Sequence, residues 1–140
     1  MTPIFSILTA TRGRPEQVRK TSEDWFSNAV NPDAVEHVLV LDRDDPTAAE
    51  TIRGLNVRQQ ATYVPDGDPA GVVSAWNAAG RSAKGRILLV VDDDIHPCKD
   101  WDKLILEAAN GDIESDAERV YRLGVDQQGD RRCFPIAFTR

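Results

Sequence analysis

The sequence predicts an α/β domain, a mostly parallel sheet flanked by helices on both faces, on three observations. Apolar runs of strand length stand at residues 4–9, 35–41 and 86–91, with a weaker one at 61–64. Segments with helical spacing lie between them. This alternation is what parallel strands require, because each return to the same edge of a sheet needs a crossover, usually a helix.

The first helix is expected over about residues 15–26, with Pro15 at a position where a helix tolerates proline and Val18, Trp25 and Phe26 as its apolar side chains. A second begins at Asp45-Pro46-Thr47, where Thr47-x-x-Glu50 has the capping-box pattern, and stops at Gly54. A third follows Asp68-Pro69 and sets Val72, Val73, Trp76 and Ala79 on one stripe before Lys84-Gly85. A fourth follows Asp100, with Trp101, Leu104, Ile105 and Ala108 at helical spacing. Two short strands at 120–125 and 133–138, joined by the turn-rich segment 126–130, are expected to form a C-terminal antiparallel pair.

A chain of 140 residues with 41% apolar and 29% charged residues suits one compact domain. Its net charge of −6 excludes a general nucleic-acid binder, whose affinity comes from Lys and Arg on phosphates. A small anionic ligand remains compatible if a cation or a few arginines meet it. Cys98 and Cys133 lack metal-ligand spacing and are expected as buried thiols in a reducing compartment. With no basic leader and no bilayer-length apolar run, the expected location is cytoplasmic.

In open α/β sheets ligands bind beyond the carboxyl ends of the strands. Three strands end there in polar clusters: Thr9-Ala10-Thr11-Arg12, Asp42-Arg43-Asp44 and Asp92-Asp93-Asp94. Asp45 and Thr47 are expected to cap the following helix. The run Leu88-Leu89-Val90-Val91-Asp92-Asp93-Asp94 is more informative, since three adjacent carboxylates behind a buried strand repel one another unless a cation sits among them. Oxygen ligands alone point to Mg²⁺ or Mn²⁺, which draws its remaining ligands from water and phosphate oxygens. The alternative is a solvated acidic loop. Asp92, nearest the strand, is expected to matter more for folding than Asp94.

Over residues 4–102 the chain resembles the family 2 glycosyltransferases of the GT-A, Rossmann-like fold. The resemblance is carried by Phe5-Ser6-Ile7-Leu8-Thr9-Ala10-Thr11-Arg12-Gly13-Arg14, by Val38-Leu39-Val40-Leu41-Asp42, and most specifically by Asn77-x-x-Gly80 leading through Lys84-Gly85 and a strand into the Asp-x-Asp motif at 92–94. It implies nucleoside contacts for Thr9, Thr11 and Asp42, a ribose contact for Asp93 and a metal ligand in Asp94, with Asp92 sharing either role. Arg12 and Arg14 suit diphosphate oxygens through bidentate guanidinium contacts, or stand as exposed charges near a helix start. Asn77 occupies a position where many family members carry arginine. His96 is either a further metal ligand or an ordinary turn residue. Trp101 is expected in the core.

The implied activity is metal-dependent, inverting sugar transfer from a nucleoside diphosphate sugar to an acceptor the sequence does not identify. Asp126 is the only late carboxylate proposed as the base. With little sequence after the acidic motif, the chain is expected to be a single donor-binding domain lacking most of an acceptor-binding region, completed by a dimer neighbour or partner subunit. Nucleotidyl transfer and a non-catalytic nucleotide-sugar-binding module are the alternatives.

Overall fold

The computed structural model describes residues 2–69 and 71–109, and the backbone alone at 120–122 and 136–139. The chain runs β1 (Phe5–Thr11), α1 (Pro15–Ser27), a 3₁₀ turn (Pro32–Ala34), β2 (Val35–Leu41), α2 (Ala48–Arg53), β3 (Gln59–Tyr63), α3 (Val72–Ser82), β4 (Ile87–Val90), α4 (Trp101–Ala108), β5 (Val120–Arg122) and β6 (Ile136–Thr139). The sheet order is β3-β2-β1-β4-β6-β5. Strands β1 to β4 are parallel, with Leu8 opposite both Val38 and Val90, whereas β6 is antiparallel to β4 and to β5. After β3 the chain returns to the other side of β1, so the direction of winding reverses between β1 and β4, where a crevice opens in such sheets.

Strand periodicity divides the side chains between two cores. Phe5, Ile7, Val35, Ile87 and Leu89 pack with Trp25 and Phe26 of α1 and with Trp101 and Ile105 of α4. Leu8, Val38 and Val40 face Ala75, Ala78 and Ala79 of α3. Trp101 stands edge-on to both Phe5 and Trp25, with ring centroids 5.0 and 4.9 Å away, and its indole N–H donates to the Trp25 carbonyl. Each such aromatic pair adds about 0.5–1.5 kcal/mol beyond burial. Asp102, buried beside it, accepts the N–H groups of Val30 and Asn31, tying α4 to the chain after α1.

Four expectations are corrected. The buried face of α3 is alanine, not the Val72, Val73 and Trp76 stripe, because only small side chains let the helix lie close on the sheet; Val72 and Val73 are exposed. Leu104 is likewise exposed on α4. No capping box forms at α2: the Thr47 hydroxyl donates to Asp45, which also accepts the Thr47 N–H. Cys98 is exposed, and Cys133 lies outside the described residues. Among the described residues no helix is long and apolar enough to cross a membrane.

Two buried polar groups lock the sheet. At the amino end of the strands, the Glu36 carboxylate accepts hydrogen bonds from the Ser6 hydroxyl, the Gln60 amide and the backbone N–H groups of Lys84 and Gly85. Gly85 lies so close to β1 that a β-carbon there would stand 2.7 Å from backbone atoms of Phe5 and Ser6.

On the α1 face, His37 is fully buried between the hydroxyls of Ser22, 2.7 Å from Nδ1, and Thr9, 2.8 Å from Nε2. Burial pushes its pKa down to about 3, so the folded protein holds it neutral. The unfolded chain takes up this proton near pH 6.5. Stability from neutral His37 is therefore complete above about pH 6.5 and is lost as the pH falls toward 3. Between about pH 7.5 and pH 5 urea unfolding should show a loss of roughly 2 kcal/mol that a His37→Gln variant does not show. Parallel pH profiles for the two proteins would contradict this.

Candidate functional site

The carboxyl ends of β1, β2 and β4 and the start of α3 enclose a cleft of about 590 Å³ at the winding reversal. Ala10, Val40, Val72 and Ala75 give it an apolar wall. Thr11, Arg12, Arg14, Asp42, Asp44 and the acidic triplet Asp92, Asp93 and Asp94 make up its polar side. Three clusters far apart in sequence thus share one edge because their strands are parallel and adjacent.

Within the triplet the three carboxylates differ. Asp93 is buried and bonded at both oxygens: its Oδ2 accepts the Thr11 hydroxyl at 2.9 Å, its Oδ1 accepts Arg14 Nη1 at 2.9 Å, and its backbone carbonyl accepts the Thr21 hydroxyl of α1 at 2.7 Å. It joins the acidic loop to β1 and α1 and orients Arg14, whose side chain remains 60% exposed. Asp92 and Asp94 are exposed on either side of it. Asp93, rather than Asp92, is therefore the member tied to the fold, since it alone turns inward. The Asp92 carboxyl is held above the usual carboxylate range by partial burial and then by the charges of Asp94 and Asp93.

Among the described residues no three His, Cys, Asp or Glu side chains form a ready-made metal cage. The donor set still fits a Mg²⁺ or Mn²⁺ ion that takes one or two carboxylates and completes its shell with water and phosphate oxygens.

At the other end of the cleft Arg12 Nη1 donates to Asp42 Oδ2 at 3.0 Å, and its Nη1 and Nη2 reach the two Asp44 oxygens at 2.5 and 3.1 Å. Hydrogen bonding to Arg12 holds the Asp44 carboxyl below its ordinary value and raises the Arg12 guanidinium above its own. Beneath it, Gly13 takes a left-handed turn at φ 68° that points its N–H at Asp45 Oδ2, 3.1 Å away. Burial pushes Asp45 upward, but the hydrogen bonds from Thr47 and Gly13 outweigh it and leave the carboxyl below the usual range. Arg14 and Asp94 also border a second cavity of about 520 Å³ against the first turn of α1.

The remaining expected site residues lie elsewhere. Thr9 is buried on the α1 face with His37, because it shares the strand parity of Phe5 and Ile7 rather than that of Ala10. Asn77 is exposed on α3, two positions beyond Ala75, and does not line the cleft. His96 pairs with Asp24 at 2.6 Å. Asp126 lies outside the described residues. Thr21, which the sequence reading does not name, and Asp44, which it names only within the strand-end cluster 42–44, belong to the site's framework. Thr21 sits one turn before Trp25 on the same face of α1, and Asp44 lies only two positions beyond Asp42.

No family model and no curated protein matches this sequence. Solved structures do match it in fold. Residues 1–349 of TarS from S. aureus superpose with a TM-score of 0.63 at 18% identity, over 91% of this chain and 38% of that one. The same protein has been solved with UDP-GlcNAc and with UDP. The mannosyltransferase PcManGT from Pyrobaculum calidifontis, in complex with GDP-Man and Mn²⁺, matches with a TM-score of 0.54 at 18% identity, over 67% of this chain and 28% of that one. The 4-diphosphocytidyl-2C-methyl-D-erythritol synthase from Anaerococcus prevotii matches with a TM-score of 0.55 at 12% identity, over 99% of this chain and 72% of that one. The chain therefore has the GT-A, Rossmann-like fold of TarS and the mannosyltransferase, and spans 38% of the TarS chain.

Proposed function

We propose that this chain is the nucleotide-sugar-binding domain of a metal-dependent glycosyltransferase. The observation that carries the reading is the convergence of Asp42, Arg14 and the acidic triplet from three parallel strand ends on one cleft with an apolar wall. Asp42 and Thr11 sit where a nucleoside would lie against Ala10, Val40 and Val72. Arg14, braced by Asp93, offers guanidinium donors to the diphosphate. Asp94, with Asp92, would hold Mn²⁺ or Mg²⁺. Once bound, that cation stabilises negative charge developing on the departing diphosphate. The complexes of TarS with UDP-GlcNAc and of the mannosyltransferase with GDP-Man and Mn²⁺ support this choice of ligand class. Asp126 remains the carboxylate proposed to take the acceptor proton, and the acceptor site is proposed to be completed by a dimer neighbour or partner subunit.

Nucleotidyl transfer is the second reading, favoured by the fold match to the diphosphocytidyl synthase across 99% of this chain. Product analysis separates the two. Release of nucleoside diphosphate from a sugar nucleotide is expected; release of pyrophosphate from a nucleoside triphosphate and a sugar phosphate would overturn sugar transfer, and tight binding with neither product would leave a binding module.

Asp42→Ala should weaken nucleoside diphosphate binding by about 1–3 kcal/mol, the usual scale for a hydrogen bond to a charged group. Calorimetric titration checks it. Unchanged affinity would reduce Asp42 to an ion-pair partner of Arg12.

A further inference from the structure

We infer that Arg12 sets the base preference of the cleft, favouring a base with one imide N–H, such as uracil or thymine, over guanine. The inference rests on the cleft being a nucleotide-sugar site with Asp42 at its nucleoside end. Guanine presents two adjacent donors, N1–H and the N2 amino group, which match the two oxygens of an open carboxylate. An imide presents one N–H flanked by carbonyl oxygens, and against an open carboxylate one of those carbonyls meets a second negative oxygen.

In this protein Asp42 is not open. Its Oδ2 accepts Arg12 Nη1 at 3.0 Å, leaving Oδ1 as the oxygen with no donor among the described residues. Arg12 is held in place independently, by the fork of contacts to both oxygens of Asp44. A two-donor base edge must therefore share Oδ2 with Arg12, and an oxygen that already accepts a guanidinium N–H is a weaker acceptor for the second donor. A single-donor edge uses Oδ1, and its flanking carbonyl meets the guanidinium instead of a bare carboxylate oxygen. The ion pair is about half exposed, so the discrimination is modest: about two- to fivefold, the scale of one weak charged contact.

The test titrates UDP, dTDP and GDP, with Mn²⁺ present, into the native chain and into Arg12→Met, whose melting temperature is checked first. The native chain is expected to bind UDP or dTDP about two- to fivefold more tightly than GDP, with the better of the two telling uracil from thymine, and Arg12→Met to bring the ratio to about one. A ratio unchanged by the substitution, or native binding of GDP as tight as of UDP and dTDP, overturns the role of Arg12 while leaving the donor site standing. Binding of none of the three nucleotides overturns the donor-site reading and this inference with it.

Discussion

Asp94→Ala is expected to abolish Mn²⁺-dependent binding of nucleotide sugars while leaving the melting temperature of the chain unchanged. The side chain is exposed at the cleft, so its removal opens no cavity and, among the described residues, orphans no buried donor. Even residues that only support a metal ligand cost about 10–100-fold in metal affinity when replaced. A ligand itself should exceed about a hundredfold. Asp93→Ala is the contrasting variant: it leaves the Thr11 hydroxyl and the Arg14 guanidinium without their carboxylate, and melting should fall as well as binding. If Asp94→Ala kept its Mn²⁺-dependent affinity, the metal would have to be held elsewhere. If both variants melted alike, the division between an inward Asp93 and an outward Asp94 would be wrong.

The largest stability effect is expected at the opposite end of the sheet. Gly85→Ala brings a β-carbon to 2.6 Å from Ser6 Oγ and 2.7 Å from backbone atoms of Phe5 and Ser6. Flexible side-chain ends can move aside, but these backbone atoms belong to the central strand, which pairs with both β2 and β4. Relief must come from shifting the α3–β4 connection, which strains the N–H bonds of Lys84 and Gly85 to Glu36. Overpacking of this kind costs about 3 kcal/mol, which for a domain of this size lowers the melting temperature by roughly 10 °C. Thermal unfolding measures it directly. A melting temperature equal to that of the native chain would show that the connection yields freely, and the Glu36 network would then not be the lock described.

The parts of this architecture written in local pattern were legible before any coordinates. The strands at residues 5–11 and 35–41 come from largely apolar runs, and the strand-end positions of Asp42, Asp93 and Asp94 follow from where the runs at 35–41 and 86–91 stop. Orientation was harder. Thr9 was expected in the cleft because it ends an apolar run, yet strict alternation with Phe5 and Ile7 turns it toward α1. Counting parity along β1 would have found this. Within the acidic triplet, nearness to the strand ranks Asp92 above Asp94 for folding, whereas the turn after β4 carries Asp93 inward.

Long-range polar contacts left no local trace. Glu36, Ser6 and Gly85 meet only once β1, β2 and the α3–β4 connection are assembled, and His37 sits inside a run whose apolar neighbours disguise it. On α3 hydropathy favoured the valines, but the distance between helix and sheet favoured alanines. Size decided that face, and hydropathy scales do not weigh size against separation.

The most direct test of the donor-site reading is titration calorimetry of the purified chain with UDP-GlcNAc and GDP-mannose, once with Mn²⁺ and once with EDTA. Saturable binding of at least one sugar nucleotide that depends on Mn²⁺ is the predicted result. Absence of binding in Mn²⁺, or equal affinity in EDTA, would contradict a metal-assisted nucleotide-sugar site at the carboxyl ends of β1, β2 and β4.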